Sequence, residues 1–238
     1  MCGRYVSPEQ AAIERAWRIG RTGGNPPARR FNVAPTDAVP LLVRDQGLLT
    51  LGAGRWGLIP HWWKEEKPPR LSFNARLEEA AAKPMWRDPM RFGRCLLPAE
   101  GWYEWRVVEQ TDPQTGEIVQ AKQPHYIRRQ DGKLFCFAGL MSQRAVPGSD
   151  EPQLTCALLT TASAGPIAEV HDRMPVVLPD DAHDSWLDRA MKDPAQADAL
   201  ARENQHPEAF THFAVRKLVN STRNDGPELI EPLESDDP

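Results

Sequence analysis

Apolar residues along this chain gather in short runs separated by glycine, proline and charged clusters. Short apolar runs bounded by turn residues mark buried strands. Leu134–Met141 and Leu154–Thr160 fit that pattern, as do Phe31–Ala34, Ala38–Arg44 and Arg94–Leu97. Leu49–Ile59 reads as a strand region broken by glycines, and residues 20–30, rich in Gly, Pro and Arg, read as a loop. Trp102–Val108 and His125–Arg129 flank a polar stretch, 109–124, which predicts an exposed hairpin loop. Helical signals are fewer. Ser7 is placed to cap a helix over 8–18, with Pro8 at its first position, Glu9 in its first turn and Ala11, Ala12, Ile13, Ala16 and Trp17 as its apolar residues. Residues 76–83 read as a short helix led by Asn74, after which Pro84 opens a Trp/Arg-rich loop; residues 180–188 and 194–204 read as helices. Strands and helices do not alternate, so the fold class is α+β: a single domain over 1–233 with a mixed, largely antiparallel sheet and short peripheral helices. The acidic tail, 234–238, is expected to be disordered.

With 238 residues, 40% of them hydrophobic, the chain can build one sizeable core. Its four cysteines show no Cys-x-x-Cys pair, so neither a zinc site nor a disulfide framework is indicated, and a reducing compartment fits. No stretch is long and apolar enough for a signal peptide core or a membrane span, which points to a cytoplasmic protein. The net charge of −4 argues weakly against a nucleic-acid partner, but the charge is unevenly placed. Residues 1–106 carry 17 Lys and Arg against 11 Asp and Glu, a surplus of six; residues 107–238 carry 12 against 22, a deficit of ten. The basic half is either scattered solvated arginines or a surface that tracks phosphates.

Six of the eight tryptophans, Trp56, Trp62, Trp63, Trp86, Trp102 and Trp105, fall within this basic half. Aromatics interleaved with arginine serve either a core or the stacking of unpaired bases. Trp56 and Trp86 read as core, whereas the adjacent Trp62 and Trp63 cannot both point inward from one extended segment. Cys2 is the other unusual feature. Loss of Met1 would leave an amine and a thiol on one residue, and an α-amino group that titrates near ~7.7–8 is partly unprotonated at neutral pH. Such a 1,2-aminothiol condenses with aldehydes, first to an imine and then to a thiazolidine ring; the alternative is a small buried hydrophobe. Glu104, between Tyr103 and Trp105, is either a solvent-facing strand glutamate or a carboxyl raised towards acid/base work by apolar walls. His171, after a small-residue loop, is either a surface histidine or a loop-borne functional group.

Six ordered motifs carry a resemblance: Met1–Arg4 (MCGR), Asn32–Thr36 (NVAPT), Trp56–Pro60 (WGLIP), Asn74–Arg76 (NAR), Gly101–Trp105 (GWYEW) and His171–Pro175 (HDRMP), with Asn224–Ile230 closing the chain. Together they resemble the SOS response-associated peptidase family, the abasic-site-processing proteins, from Met1 to about Pro232. The resemblance implies autoproteolytic loss of Met1 and a covalent thiazolidine link between Cys2 and the aldehyde of an abasic site in single-stranded DNA. Under it, Glu104 moves protons, His171 assists sugar ring opening, Asn74 holds the N-terminal residue, Arg4, Arg76 and Arg173 grip phosphates, and Trp62 and Trp63 stack on bases. It further implies weak abasic-site lyase activity, substrates at fork-like junctions, association with the nucleoid when bound to DNA, and no metal or other cofactor; a monomer is expected. Two features sit less easily with it: the 109–124 segment is long and its acidic start follows Glu104 closely, and the overall acidity leaves little room for a wide positive groove. A thiol peptidase acting on other proteins, with Cys2 as nucleophile and His171 as base, is the competing reading. A non-catalytic DNA-binding module, with no use for Cys2, Glu104 or His171, is a third.

Overall fold

A computed structural model describes residues 2–23, 25–65, 67, 69–112, 114–145 and 152–233. In chain order its elements are β1 (Tyr5–Ser7), α1 (Gln10–Trp17), β2 (Arg21–Thr22), β3 (Arg30–Val33), β4 (Ala38–Asp45), β5 (Leu48–Trp56), β6 (Asn74–Arg76), α2 (Leu77–Ala80), α3 (Pro84–Phe92), β7 (Arg94–Ala99), β8 (Gly101–Thr111), β9 (Ile118–Arg129), β10 (Phe135–Arg144), β11 (Gln153–Ala162), β12 (Arg173–Pro175), β13 (Val177–Leu178), α4 (His183–Leu187), α5 (Pro194–Glu203) and β14 (Phe210–Ala214). The fold is α+β and rich in antiparallel pairs. The acidic tail, 234–238, lies outside the described residues.

One sheet runs β14-β9-β8-β1-β3; the other follows β12-β11-β10-β7-β4-β5-β2. A parallel pairing of β11 with β5, Cys156 beside Trp56, closes β5, β4, β7, β10 and β11 into a ring. The strands of this ring are apolar on both faces because both are covered. Leu97, Phe137 and Leu158 pack with Tyr5 and Trp102 of the first sheet. Their neighbours Leu96, Ala138 and Leu159 pack with Ile13, Trp86, Trp186 and Ala197 from the helices. Alternation with both faces buried is what turns a strand into a continuous apolar run. The far face of the first sheet, Val6, Tyr103 and Tyr126, is closed by Val215, Val219 and Leu229.

Four local expectations need correction. The first helix begins at Gln10 behind Glu9, because Ser7 belongs to β1 and its Oγ accepts the Arg30 N–H at 3.1 Å. The helix expected over 76–83 is reduced to α2, since Asn74, Ala75 and Arg76 pair in parallel with Leu158, Leu159 and Thr160 of β11. The loop expected after Pro84 is helix α3, with Pro84 in its first turn and Trp86, Pro89 and Met90 turned inward at helical spacing. The polar 109–124 stretch is mostly hydrogen-bonded hairpin: β8 and β9 stay paired out to Thr111 and Ile118. Among the described residues no helix is long and apolar enough to cross a membrane.

Candidate functional site

Strand β1 lies between β8 and β3, and this carries Cys2 into the interior, where its side chain is fully buried. Asn74, held by the parallel pairing of β6 with β11, donates from Nδ2 to the Cys2 carbonyl oxygen at 2.7 Å. The residue before it is fixed as well, because the Trp56 indole N–H donates to the Phe73 carbonyl at 2.9 Å. Asn74 Oδ1 is buried and has no hydrogen-bond partner among the described residues. An amide with one end committed and the other end open is equipped to receive a donor.

Glu104 follows two positions after Trp102 on β8, on the face that packs towards the ring, and is only 2% exposed. Burial lifts its carboxyl to about 7, with the charge of Asp172 adding to the rise. His171 comes from the loop between β11 and β12 and stands with Nε2 3.8 Å from Glu104 Oε2, longer than a direct hydrogen bond. Two groups compete for its Nδ1: the Arg173 backbone N–H at 3.0 Å and Asp172 Oδ1 at 2.9 Å. One ring nitrogen cannot accept the first and donate to the second. Asp172 is 85% exposed and loses little by turning to water, so the backbone bond decides, and the neutral ring carries its proton on Nε2, towards Glu104. Burial also holds the His171 pKa below its ordinary value, which keeps the ring neutral at pH 7. Burial, then the charge of Glu104, pushes the Cys2 thiol well above the usual range, so its sulfur is protonated. An open cleft of about 310 Å³ lined by Glu104, Trp105, Lys122 and His171 reaches this group from solvent. A second cleft, about 460 Å³, opens beside Asn74 and is walled by Arg70, Arg76, Lys83, Phe73 and Trp86.

Cys2, Asn74, Glu104 and His171 thus come from the segment before β1, from β6, from β8 and from the β11–β12 loop to one place. The five residues expected to contact DNA divide. Arg4 is engaged internally: Nη1 donates to Asn32 Oδ1 at 2.9 Å and to the Val219 carbonyl at 2.7 Å, and Nη2 to the Asn220 carbonyl at 3.3 Å. Arg173 forks onto both Glu78 carboxylate oxygens at 2.7 and 2.9 Å and donates to the Thr160 carbonyl at 2.8 Å. Arg76, by contrast, is exposed on the rim of the larger cleft. Trp62 is 47% exposed; Trp63, half-buried, packs at a ring distance of 6.1 Å and donates its indole N–H to the Lys67 carbonyl.

Sequence reasoning missed two supports of the site. Buried Asn32 donates from Nδ2 to the carbonyls of Val219, Ser221 and Asn224, while Asp225 accepts from the Phe31 and Asn32 backbone N–H groups and from Arg30 Nε. The motifs at 32–36 and 224–230 are therefore two halves of one lock, a meeting that neither motif advertises alone. His125, opposite Glu104 on β9, and His212 on β14 form a close pair with Nδ1 atoms 3.1 Å apart, and 87 positions of sequence separate them.

Comparison with known proteins fits this geometry. The profile of a family described as SOS response associated peptidase (SRAP) matches residues 1–222. The chain is 37% identical over 201 residues to the abasic site processing protein YoqW of Bacillus subtilis, covering 84% of this chain and 85% of that one. It is 31% identical to the abasic site processing protein YedK of Escherichia coli, covering 87% and 86%. A crystal structure of a protein from Bacteroides thetaiotaomicron superposes with a TM-score of 0.78 over 98% of this chain and all of that one; at 22% identity it speaks for the fold alone.

Proposed function

Because this chain belongs to the SOS response-associated peptidase family, and relatives such as YoqW and YedK are named abasic site processing proteins, we propose that it recognises abasic sites in single-stranded DNA and captures them covalently through Cys2. Loss of Met1, an autoproteolytic step in which Glu104 serves as acid/base, frees the Cys2 amine. The amine adds to the aldehyde of the ring-opened sugar. Glu104 accepts the ammonium proton and returns one to the departing hydroxyl, so water leaves and an imine forms. The Cys2 sulfur then bonds to the imine carbon as its proton passes to the nitrogen, closing a thiazolidine that shields the lesion. His171 donates from Nε2 towards the sugar oxygen during ring opening, and Asn74 holds the Cys2 carbonyl while its Oδ1 receives a donor from the amine or the sugar. Where the thiol fails to close, elimination from the imine cuts the strand, giving a weak lyase activity. Arg76 meets phosphates while Arg4 and Arg173 brace the fold, and Trp62 and Trp63 stack on unpaired bases, which favours fork-like junctions. The protein acts as a monomer.

The observation that carries this reading is the Asn74 bond to the Cys2 carbonyl at 2.7 Å, on the residue whose amine is needed, in a site where a buried carboxyl titrates at about 7. A carboxyl poised there can both take and give a proton at neutral pH. The same surroundings weigh against a peptidase acting on other proteins, since that chemistry needs a thiolate and the Cys2 thiol is buried and held protonated. The test is a denaturing gel of Met1-processed protein with single-stranded DNA bearing one abasic site, beside undamaged DNA and Cys2→Ala. A heat-stable shifted band with abasic DNA alone, absent in Cys2→Ala, is the expected result; no band despite confirmed loss of Met1 overturns the reading.

A further inference from the structure

Helix α3 borders two clefts with one face. Met85, Pro89 and Phe92, at i, i+4 and i+7, share that face. Met85 walls the cleft beside Asn74, whereas Pro89 and Phe92 wall a third cleft, of about 460 Å³, at the far end of the helix. The opposite bank is common to both clefts. Arg70, Leu71 and Ser72 border the first and His61 borders the other, and the excursion that carries them is tied at its ends, where the Leu58 N–H donates to the Ser72 carbonyl at 2.9 Å. At 1.5 Å per residue, Met85 and Phe92 stand about 10 Å apart along the helix, the reach of a few nucleotides. Phe92 is 55% exposed, and the Arg91 guanidinium stands 5.1 Å from its ring centre. A lone exposed apolar side chain needs no explanation, but this one sits at the mouth of a cleft beside cations. Arg189, exposed on the same cleft, makes no side-chain hydrogen bond or ion pair among the described residues. Arg91 commits only Nε, which donates to the Lys192 carbonyl at 3.3 Å. Asp88, the one acidic residue described on the cleft wall, lies 3.7 Å from Arg87 Nε. An open ring edged by guanidinium groups is the means by which a base can be stacked while its phosphate is neutralised.

Resting on the covalent-capture reading above, we propose that the groove along α3 takes the unpaired strand on one side of the lesion, with a base stacked on the Phe92 ring and Arg91 and Arg189 on the neighbouring phosphates. Arg70 and Arg76, at the Asn74 cleft, start this path and Phe92 ends it. The partner is single-stranded DNA of any sequence, because every base offers a flat face to the ring. Paired bases keep their faces on one another, so a duplex gains nothing there. Phe92 touches neither the lesion nor Cys2; the groove therefore acts on the affinity for long strands and leaves the chemistry of capture alone.

The test measures how tightly the full-length, Met1-processed protein binds single-stranded DNA bearing a reduced abasic site, which lacks the aldehyde and so reports binding without crosslinking. The strands extend about two or about ten nucleotides beyond the lesion, on the 5′ side in one series and on the 3′ side in another. The wild type is expected to bind the strand lengthened on one of these sides about tenfold more tightly, and Phe92→Ala to lose that gain while binding the short strand like the wild type. Arg189→Ala is expected to lower the salt slope for the long strand by about 0.7 and to leave the short strand unaffected. Once a complement is annealed over the extension, Phe92→Ala and the wild type are expected to bind alike. A wild type indifferent to length on both sides, a Phe92→Ala that keeps the full gain, or a Phe92 effect that survives annealing overturns the proposal. Should Phe92→Ala not fold, an Arg189→Ala salt slope equal to that of the wild type overturns it equally. Crosslinking of the short strand with a true abasic site separates the two readings: a wild type that fails to crosslink yet gains affinity with length defeats capture and leaves the groove standing.

Discussion

Two arginines flank the end of β11 and do opposite things. Arg173, from β12, lies on one side with its fork closed on Glu78 and the Thr160 carbonyl. Arg76 sits opposite Thr160 on the other side, and its side chain makes no hydrogen bond or ion pair among the described residues. The same residue type, two positions apart along one strand, is structural where its donors are consumed and available where they are not. The contrast extends to the whole site: an inner set in which burial sets the protonation of Cys2, Glu104 and His171 around the amide of Asn74, and an outer rim of Arg76 and Trp62 whose chemistry is that of side chains in water.

Glu104→Gln strikes the inner set hardest. Loss of its acid/base function should slow capture by ~10²–10⁴-fold in a single-turnover assay. The same change should stabilise the protein. Folded Glu104 keeps its proton up to about 7, whereas the unfolded carboxyl loses it near 4.5, so stability falls as pH rises through that window. Above pH 7 the Gln variant should be the more stable by about 2–3 kcal/mol, read by denaturation at pH 8, with the difference vanishing near pH 4. Equal stability at both pH values would show that Glu104 is not strained. Next in size is Arg173→Ala, expected to lower stability by ~1–3 kcal/mol by leaving Glu78 and the Thr160 carbonyl unpaired. If it instead weakens DNA binding without touching the melting temperature, the division between inner and outer arginines breaks. Trp62→Ala should weaken single-stranded DNA binding by ~1–3 kcal/mol, the worth of a stacked base, with the melting temperature unmoved. Arg76→Ala should have the smallest effect, a loss of about one phosphate contact that lowers the salt slope of binding by ~0.7.

How much of this was legible in the sequence follows the same inner and outer division. The ring strands were readable because both faces are buried, which writes an unbroken apolar run into Phe135–Leu140 and Ala157–Leu159. The outer half of the β8–β9 hairpin was not, since its pairs, such as Gln110 opposite Val119, are exposed and held mainly by the backbone ladder, so they leave no alternating buried pattern. Helix α3 was hidden by its two prolines, although Pro84 at a first turn starts a helix rather than ending one. Cys2, Glu104 and His171 stood out by their chemistry and their motifs. His125 and His212 did not, because only the pairing of β9 with β14 brings them together.

The lock that seats β1 also sets a clock. Arg4 reaches its anchor carbonyls 215 and 216 positions later in the chain, and Asn32 depends on residues up to Asn224. During synthesis β1 leaves the ribosome long before these partners exist, and it has no complete seat until Val219, Asn220 and Asn224 emerge. The segment that carries Cys2 therefore waits for partners 215 and 216 positions downstream of Arg4 before it is fixed in place.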